Sequence, residues 1–133
     1  REHCKNASLV ADYLSTHDKV AKVIHPGNQS GEEKRRADAY LRGGYGGLVG
    51  FELNTGKEAG QEFIEALQLF YHVANIGDTR SLAIHPASTT HSQLTPEDQI
   101  ATGVSEGYVR LSIGIEHIDD ILADLDQALA VVK

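Results

Sequence analysis

The sequence has a single cysteine, Cys4, so no internal disulfide can form. A chain that depends on none is at home in a reducing compartment, and the cytoplasm is the expected location. Nor is there an apolar run near the roughly 20 residues that a membrane-spanning helix needs, and no signal-peptide pattern opens the chain. Basic residues are in the minority, 12 against 19 acidic ones, for a net charge of −7. Nucleic-acid affinity comes largely from clustered Lys and Arg, so this balance argues against a nucleic-acid partner. The only basic cluster, Lys34-Arg35-Arg36, follows directly on two glutamates and reads as a solvated helix face. An initiator Met is missing too. The opening REHCKNASLVADYL enters a helical pattern with no Ser, Thr, Asp or Asn ahead of it to cap the free N–H groups. A piece of something longer is the expectation.

What remains is ordinary globular material. At 133 residues, 41% hydrophobic and 23% charged, the chain suits one domain. Apolar residues at Ala7, Val10, Ala11 and Leu14 predict a first helix. VAKVIHPG reads as a short strand stopped by proline, which has no N–H for a ladder. SGEEKRRADAYLRGG predicts a brief helix with Ser30 as N-cap and glycines at its end. GGLVGFELNTG is a second strand. KEAGQEFIEALQLFYHV, with Phe63, Ala66, Leu67 and Phe70 at i, i+3, i+4 and i+7, predicts one amphipathic helix. RSLAIHP is a third strand, and Thr95-Pro96 a strong helix start. YVRLSIGIEH, residues 108–117, alternates: Val109, Leu111, Ile113 and Ile115 share one parity, Tyr108, Arg110, Ser112 and Gly114 the other. Ile118, Ile121, Leu122, Leu125, Leu129 and Val132 form the stripe of a last helix, with Asp119 and Asp120 in its first turn. The expected fold class is α+β, a small four-stranded, mainly antiparallel sheet with helices on one face and the other face open.

Familiar chemical signatures fail on inspection. RGGYGGLVG precedes a strand and has no following Gly-Lys-Ser/Thr, so its glycines read as turn formers. His85 and His91, six residues apart across a proline, match no usual metal spacing and read as structural or site-lining. Cys4 lacks a placeable activating base and reads as packing. Ser81 sits in no G-x-S-x-G elbow, which argues against a hydrolase triad. Arg110, on the polar face of its strand, has two readings: a solvated or salt-bridged residue, or a guanidinium fork for a carboxylate or phosphate.

Three blocks carry a resemblance: SLAIHPASTTH, VRLSIGIE and the closing acidic-apolar helix DDILADLDQAL. Together with LQLFYHVANIGDTR they resemble the C-terminal part of the Cys/Met-metabolism family of pyridoxal-phosphate enzymes. GLVGFELNTGKEAGQEFIEAL and NASLVADYLSTHDKVAKVIHPG are similar to preceding elements of the same small domain, so the likeness covers nearly the whole chain. Within the family, the stretch from Leu69 to Thr95 looks most like the O-acetylhomoserine sulfhydrylase branch.

The resemblance implies that residues 1–133 are the C-terminal small domain of a longer, homotetrameric enzyme. That enzyme would make homocysteine and acetate from O-acetylhomoserine and sulfide with pyridoxal phosphate. It further implies that Arg110 binds the substrate α-carboxylate and that Ser81 helps through its backbone. The HPASTTH loop would form part of the active-site wall. The Schiff-base lysine and the phosphate grip belong to a missing N-terminal domain, since none of Lys5, Lys19, Lys22, Lys34, Lys57 and Lys133 lies in a matching motif. No catalytic or cofactor-binding residue is therefore expected here, and the domain alone is expected to be inactive. A cystathionine or methionine γ-lyase or synthase is the nearest alternative. A stand-alone module binding a ligand or partner on its open sheet face is the more distant one.

Overall fold

The structure is a computed structural model that describes residues 1–133. Five helices, α1 (Glu2–Ser15), α2 (Gly31–Tyr40), α3 (Gly56–Ala66), α4 (Pro96–Ala101) and α5 (Ile118–Val131), are interspersed with five strands. The strands are β1 (Val20–Ile24), β2 (Leu48–Leu53), β3 (Tyr71–His72), β4 (Leu82–Ile84) and β5 (Tyr108–Ser112). They form one sheet in the order β1-β2-β5-β4-β3. Every pairing is antiparallel except β3 with β4.

The sheet thus has one strand more than the sequence reading expected. The extra strand, β3, lies inside the stretch assigned to a single long helix. That helix ends at Ala66, and Leu67 turns to φ −62°, ψ 136°. Its i, i+3, i+4, i+7 pattern is nevertheless obeyed in burial, because Leu67 packs against the core and Phe70 is buried. A turn delivers them there instead of another helical repeat. The cause is Asp124 of α5, whose carboxylate accepts hydrogen bonds from the N–H groups of Gln68 (2.9 Å), Leu69 (2.9 Å) and Phe70 (3.3 Å). Those donors are drawn away from a continuing helical ladder to a charge 54 to 56 residues further on.

Strand parity sets the core. Val49, Phe51 and Leu53 of β2, Ala83 of β4, and Val109 and Leu111 of β5 point into one cluster. Ala7, Val10, Ala11 and Leu14 of α1, Phe63 of α3, and Ile121, Leu125 and Leu129 of α5 complete it. Phe51 and Phe63 meet edge to face, centroids 5.3 Å apart at 83°, a favoured aromatic geometry. The last turn of the apolar alternation departs from the reading: β5 ends at Ser112, and Ile115 is half exposed. Thr95 caps α4 as expected, its side chain accepting from the Asp98 N–H at 3.2 Å. Ser30 occupies the N-cap position of α2 without a side-chain cap bond.

The opposite parity of β5 carries Tyr108, Arg110 and Ser112. Across these residues lies the segment joining β3 to β4. No helix of the structure is long and apolar enough to cross a membrane.

Candidate functional site

Arg110 sits mid-strand, paired with Gly50 of β2 and Ile84 of β4, so its Cα position is fixed from both sides. Its guanidinium is turned under the 74–78 segment, where Nη2 donates to the carbonyl oxygen of Ala74 at 2.7 Å and reaches that of Asn75 at 3.5 Å. The Nε–H is buried and has no acceptor. A buried cationic donor without a partner is costly, and a matching anion relieves that cost. Arg110 and residues Ala74 to Asp78 line an open cavity of about 550 Å³. A second cavity of about 470 Å³ shares Ala74 and Arg110 and extends along Ile84, Pro86, Thr90 and Tyr108.

The segment above Arg110 is fastened at successive points. Gly77, at φ +75°, turns the chain and donates its N–H to Ser112 Oγ at 3.1 Å. The carboxylate of Asp78 accepts from the Arg80 N–H at 2.9 Å. Thr79 accepts at its carbonyl from the Ile115 N–H, also at 2.9 Å.

Ser81 lies at the far end of this segment and is fully buried. Its N–H and its hydroxyl both donate to the Glu116 carboxylate, at 2.6 and 2.8 Å. Its carbonyl accepts from the Tyr71 N–H, and its Oγ accepts from the Gly114 N–H. Both backbone groups of Ser81 are therefore occupied within the fold, and the residue does not line the Arg110 cavities. The backbone that borders the guanidinium belongs to Ala74 and Asn75. Sequence reasoning missed Asn75, Gly77, Ser112 and Glu116. A glycine inside an Asn-Ile-Gly-Asp run between two strands was the signal for a special turn there.

The HPASTTH loop opens with a 3₁₀ turn, Pro86–Ser88. His85 anchors it: Nε2 lies 2.6 Å from the Glu106 carbonyl and Nδ1 2.8 Å from Ser88 Oγ. Since a carbonyl only accepts, Nε2 carries the proton and Nδ1 accepts the serine hydroxyl. Burial holds the imidazole below its ordinary pKa, in the neutral form this arrangement needs. Gln99 ties the loop to α4 through the carbonyls of Ala87 (3.3 Å) and His91 (2.8 Å). His91 and Thr90 border the second cavity beside Arg110. Cys4 is partly buried against Gly44.

The Cys/Met metabolism PLP-dependent enzyme family matches residues 1–130. The chain belongs to that family. It is 52% identical over 128 residues to an O-acetyl-L-homoserine sulfhydrylase of Leptospira meyeri, covering 96% of this chain and 29% of the relative. To O-acetyl-L-homoserine sulfhydrylase 1 of Thermus thermophilus it is 48% identical, covering 96% and 30%. An L-methionine gamma-lyase of Pseudomonas putida is 46% identical over 127 residues, covering 96% and 32%. Among solved structures, a Campylobacter jejuni protein provisionally named an O-acetylhomoserine (thiol)-lyase superposes with a TM-score of 0.89 at 39% identity, covering 97% of this chain and 31% of that one. That crystal structure contains N′-pyridoxyl-lysine-5′-monophosphate. The chain thus spans about a third of the length of these relatives.

Proposed function

We propose that this chain is the substrate-carboxylate-binding small domain of a longer pyridoxal-phosphate enzyme that makes homocysteine and acetate from O-acetylhomoserine and sulfide. The observation that carries the reading is Arg110 at the wall of an open cavity, with its Nε–H buried and without a partner. With Nη2 held by Ala74, the guanidinium has a fixed orientation and donors left for a carboxylate. The neighbouring Asn75 N–H is the natural second donor, since it enters no hydrogen bond within the chain. Fixing the α-carboxylate at one end orients the rest of the amino acid, and orientation lowers the barrier to the step at Cα.

Pyridoxal phosphate, when bound, supplies the electron sink for the substrate's Cα. The lysines of this chain do not suit its attachment. Lys19 donates to the Val132 carbonyl at 2.6 Å, and Lys34 pairs with Asp38. Lys5 pairs with Glu2, the other three are exposed, and none borders the Arg110 cavities. In this reading the cofactor is held by the remainder of a longer, oligomeric cytoplasmic enzyme, and these 133 residues have no turnover alone.

The test is homocysteine formation from O-acetylhomoserine and sulfide by the full-length protein with added pyridoxal phosphate, in the wild type and in Arg110→Ala. Losing a charge-assisted pair should cost about 1.5–3 kcal/mol in kcat/KM, roughly 10- to 150-fold. Unchanged kinetics in the variant would remove Arg110 from the site. A γ-lyase is the second reading, favoured by the 46% identity to L-methionine gamma-lyase. Release of an α-keto acid and ammonia in place of homocysteine would select it.

A further inference from the structure

We infer that Ser112 is a positioning residue for the carboxylate fork, acting through the strap of residues 74–81 that it fastens over Arg110. The inference rests on the reading of Arg110 given above. Arg110 and Ser112 are two residues apart on β5, so their side chains share a face. Both act on the same strap: Arg110 Nη2 on the Ala74 carbonyl at 2.7 Å, Ser112 Oγ on the Gly77 N–H at 3.1 Å. The two bonds have opposite polarity, one donated by the strand side chain and one accepted by it. Together they fix both the distance and the direction of the 74–77 backbone relative to the guanidinium.

Ser112 is itself buried, so its hydroxyl is not a general surface contact. Beyond Gly77 the strap has an independent anchor at Ser81, which Glu116 holds by two hydrogen bonds. Gly114 beside this anchor has no room for a Cβ, which would meet the Thr79 carbonyl and the Glu116 carboxylate. The far end is therefore rigid by construction. Between Ala74 and Thr79, the Ser112 hydroxyl is the one side chain outside the strap, other than Arg110, that holds it. Removing that hydroxyl frees the Gly77 turn while both ends stay tied. The backbone of Asn75, which borders the fork, then loses its fixed place.

The residue can be altered without disturbing the core. A cavity of about 230 Å³ lies beside Ser112, lined also by Leu48, Ile76 and Gly77. It leaves space for the extra methyl of threonine, a residue that suits a strand. Ser112→Thr keeps the hydroxyl and Ser112→Ala removes it.

The experiment compares full-length wild type, Ser112→Ala, Ser112→Thr and Arg110→Ala, loaded with pyridoxal phosphate. Three readouts are taken: amide exchange at Gly77, binding of norleucine by calorimetry, and the kinetics with O-acetylhomoserine and sulfide. Ser112→Ala is expected to speed exchange at Gly77 at least tenfold and to weaken norleucine about tenfold. It should raise KM for O-acetylhomoserine similarly, with KM for sulfide unchanged, and Ser112→Thr should stay within twofold of wild type in all three. Faster exchange with unaltered binding and KM would overturn the inference, as would unaltered exchange at Gly77. If Arg110→Ala also binds norleucine as wild type does, the reading of Arg110 falls and takes the inference with it. If Arg110→Ala weakens binding and Ser112→Ala does not, only the positioning role falls.

Discussion

Gly60, in the middle of α3, lies flat against the imidazole of His85, and a methyl group in place of its hydrogen would run into the ring at Nε2, Cδ2 and Cε1. The ring cannot step aside. It is buried and held at both nitrogens, by Glu106 and by Ser88. Alanine in a helix interior is ordinarily favoured over glycine by about 1 kcal/mol. Overpacking a fixed group costs about 1–3 kcal/mol and here outweighs that gain. Gly60→Ala is therefore expected to lower stability, read as a lower urea midpoint with an unchanged slope. A midpoint at or above wild type would mean that the His85 loop yields to α3.

The turn after α3 rests on one carboxylate. Asp124 Oδ2 accepts from the N–H groups of Leu69 and Phe70, and Oδ1 from that of Gln68 and from Gln127 Nε2. Asparagine retains one oxygen and turns an NH₂ group toward N–H donors that need an acceptor. Asp124→Asn should lose about 2–3 kcal/mol, in line with charge-assisted hydrogen bonds to buried donors. Amide exchange should rise at residues 68 to 70 ahead of the strands. Protection equal to wild type there would show that the turn is held by Leu67 and Phe70 packing alone.

These contacts explain what could and could not be seen in the sequence. β5 was legible because alternation over Val109, Leu111 and Ile113 is a local signal that burial obeys. α1 and α5 were legible for the same reason at helical spacing. β3 was not: it has two residues, Tyr71 and His72, both exposed, and it exists because β4 offers it a parallel edge. The end of α3 was hidden because the acceptor that stops it lies on α5. The candidate site divides along the same line. Strand parity put Arg110 on the polar face but left open whether water, a side chain or a ligand met it. The answer depends on Ala74, which is 36 residues away. Ser81 drew notice as part of a motif, yet its partner Glu116 is 35 residues distant, and nothing local announces that its N–H is already bound.

Acid should weaken the fold through its buried histidines. Burial holds both His85 and His25 below the ordinary value of 6.5. The unfolded chain then takes up protons more readily than the folded one as the pH falls through that value. The stability these neutral rings contribute is complete above about pH 6.5 and is lost progressively below it, down to their folded pKa values. For His85 the cost is that of a charge taken out of water, which the Glu106 carbonyl offsets only in part, and of a second N–H at Nδ1 where the Ser88 hydroxyl now donates, in the anchor of the HPASTTH loop. Melting temperatures between pH 7.5 and 5.5 should fall more steeply in wild type than in His85→Gln, which has no proton to gain. Parallel curves would assign the acid sensitivity to other groups.

The fork itself can be separated from its charge. Arg110→Lys keeps the positive charge but replaces a planar pair of donors by a single ammonium. Lysine also has no second nitrogen to set on the Ala74 carbonyl, which the arginine holds at 2.7 Å through Nη2 while its Nε–H remains without a partner. The lysine therefore cannot reproduce the two-point hold, one nitrogen on the strap and another of the same plane on the carboxylate. If geometry is what the site uses, Arg110→Lys should recover less than a third of the loss seen in Arg110→Ala, judged by kcat/KM for the amino-acid substrate. Amide exchange at Gly77, the one N–H of this stretch that is hydrogen-bonded, should rise in Arg110→Ala, which leaves the Ala74 end of the strap untied. If charge alone suffices, lysine should restore most of the activity and the exchange difference should leave the kinetics untouched. That result would retain Arg110 as a counter-ion and discard the orienting role assigned to its fixed plane.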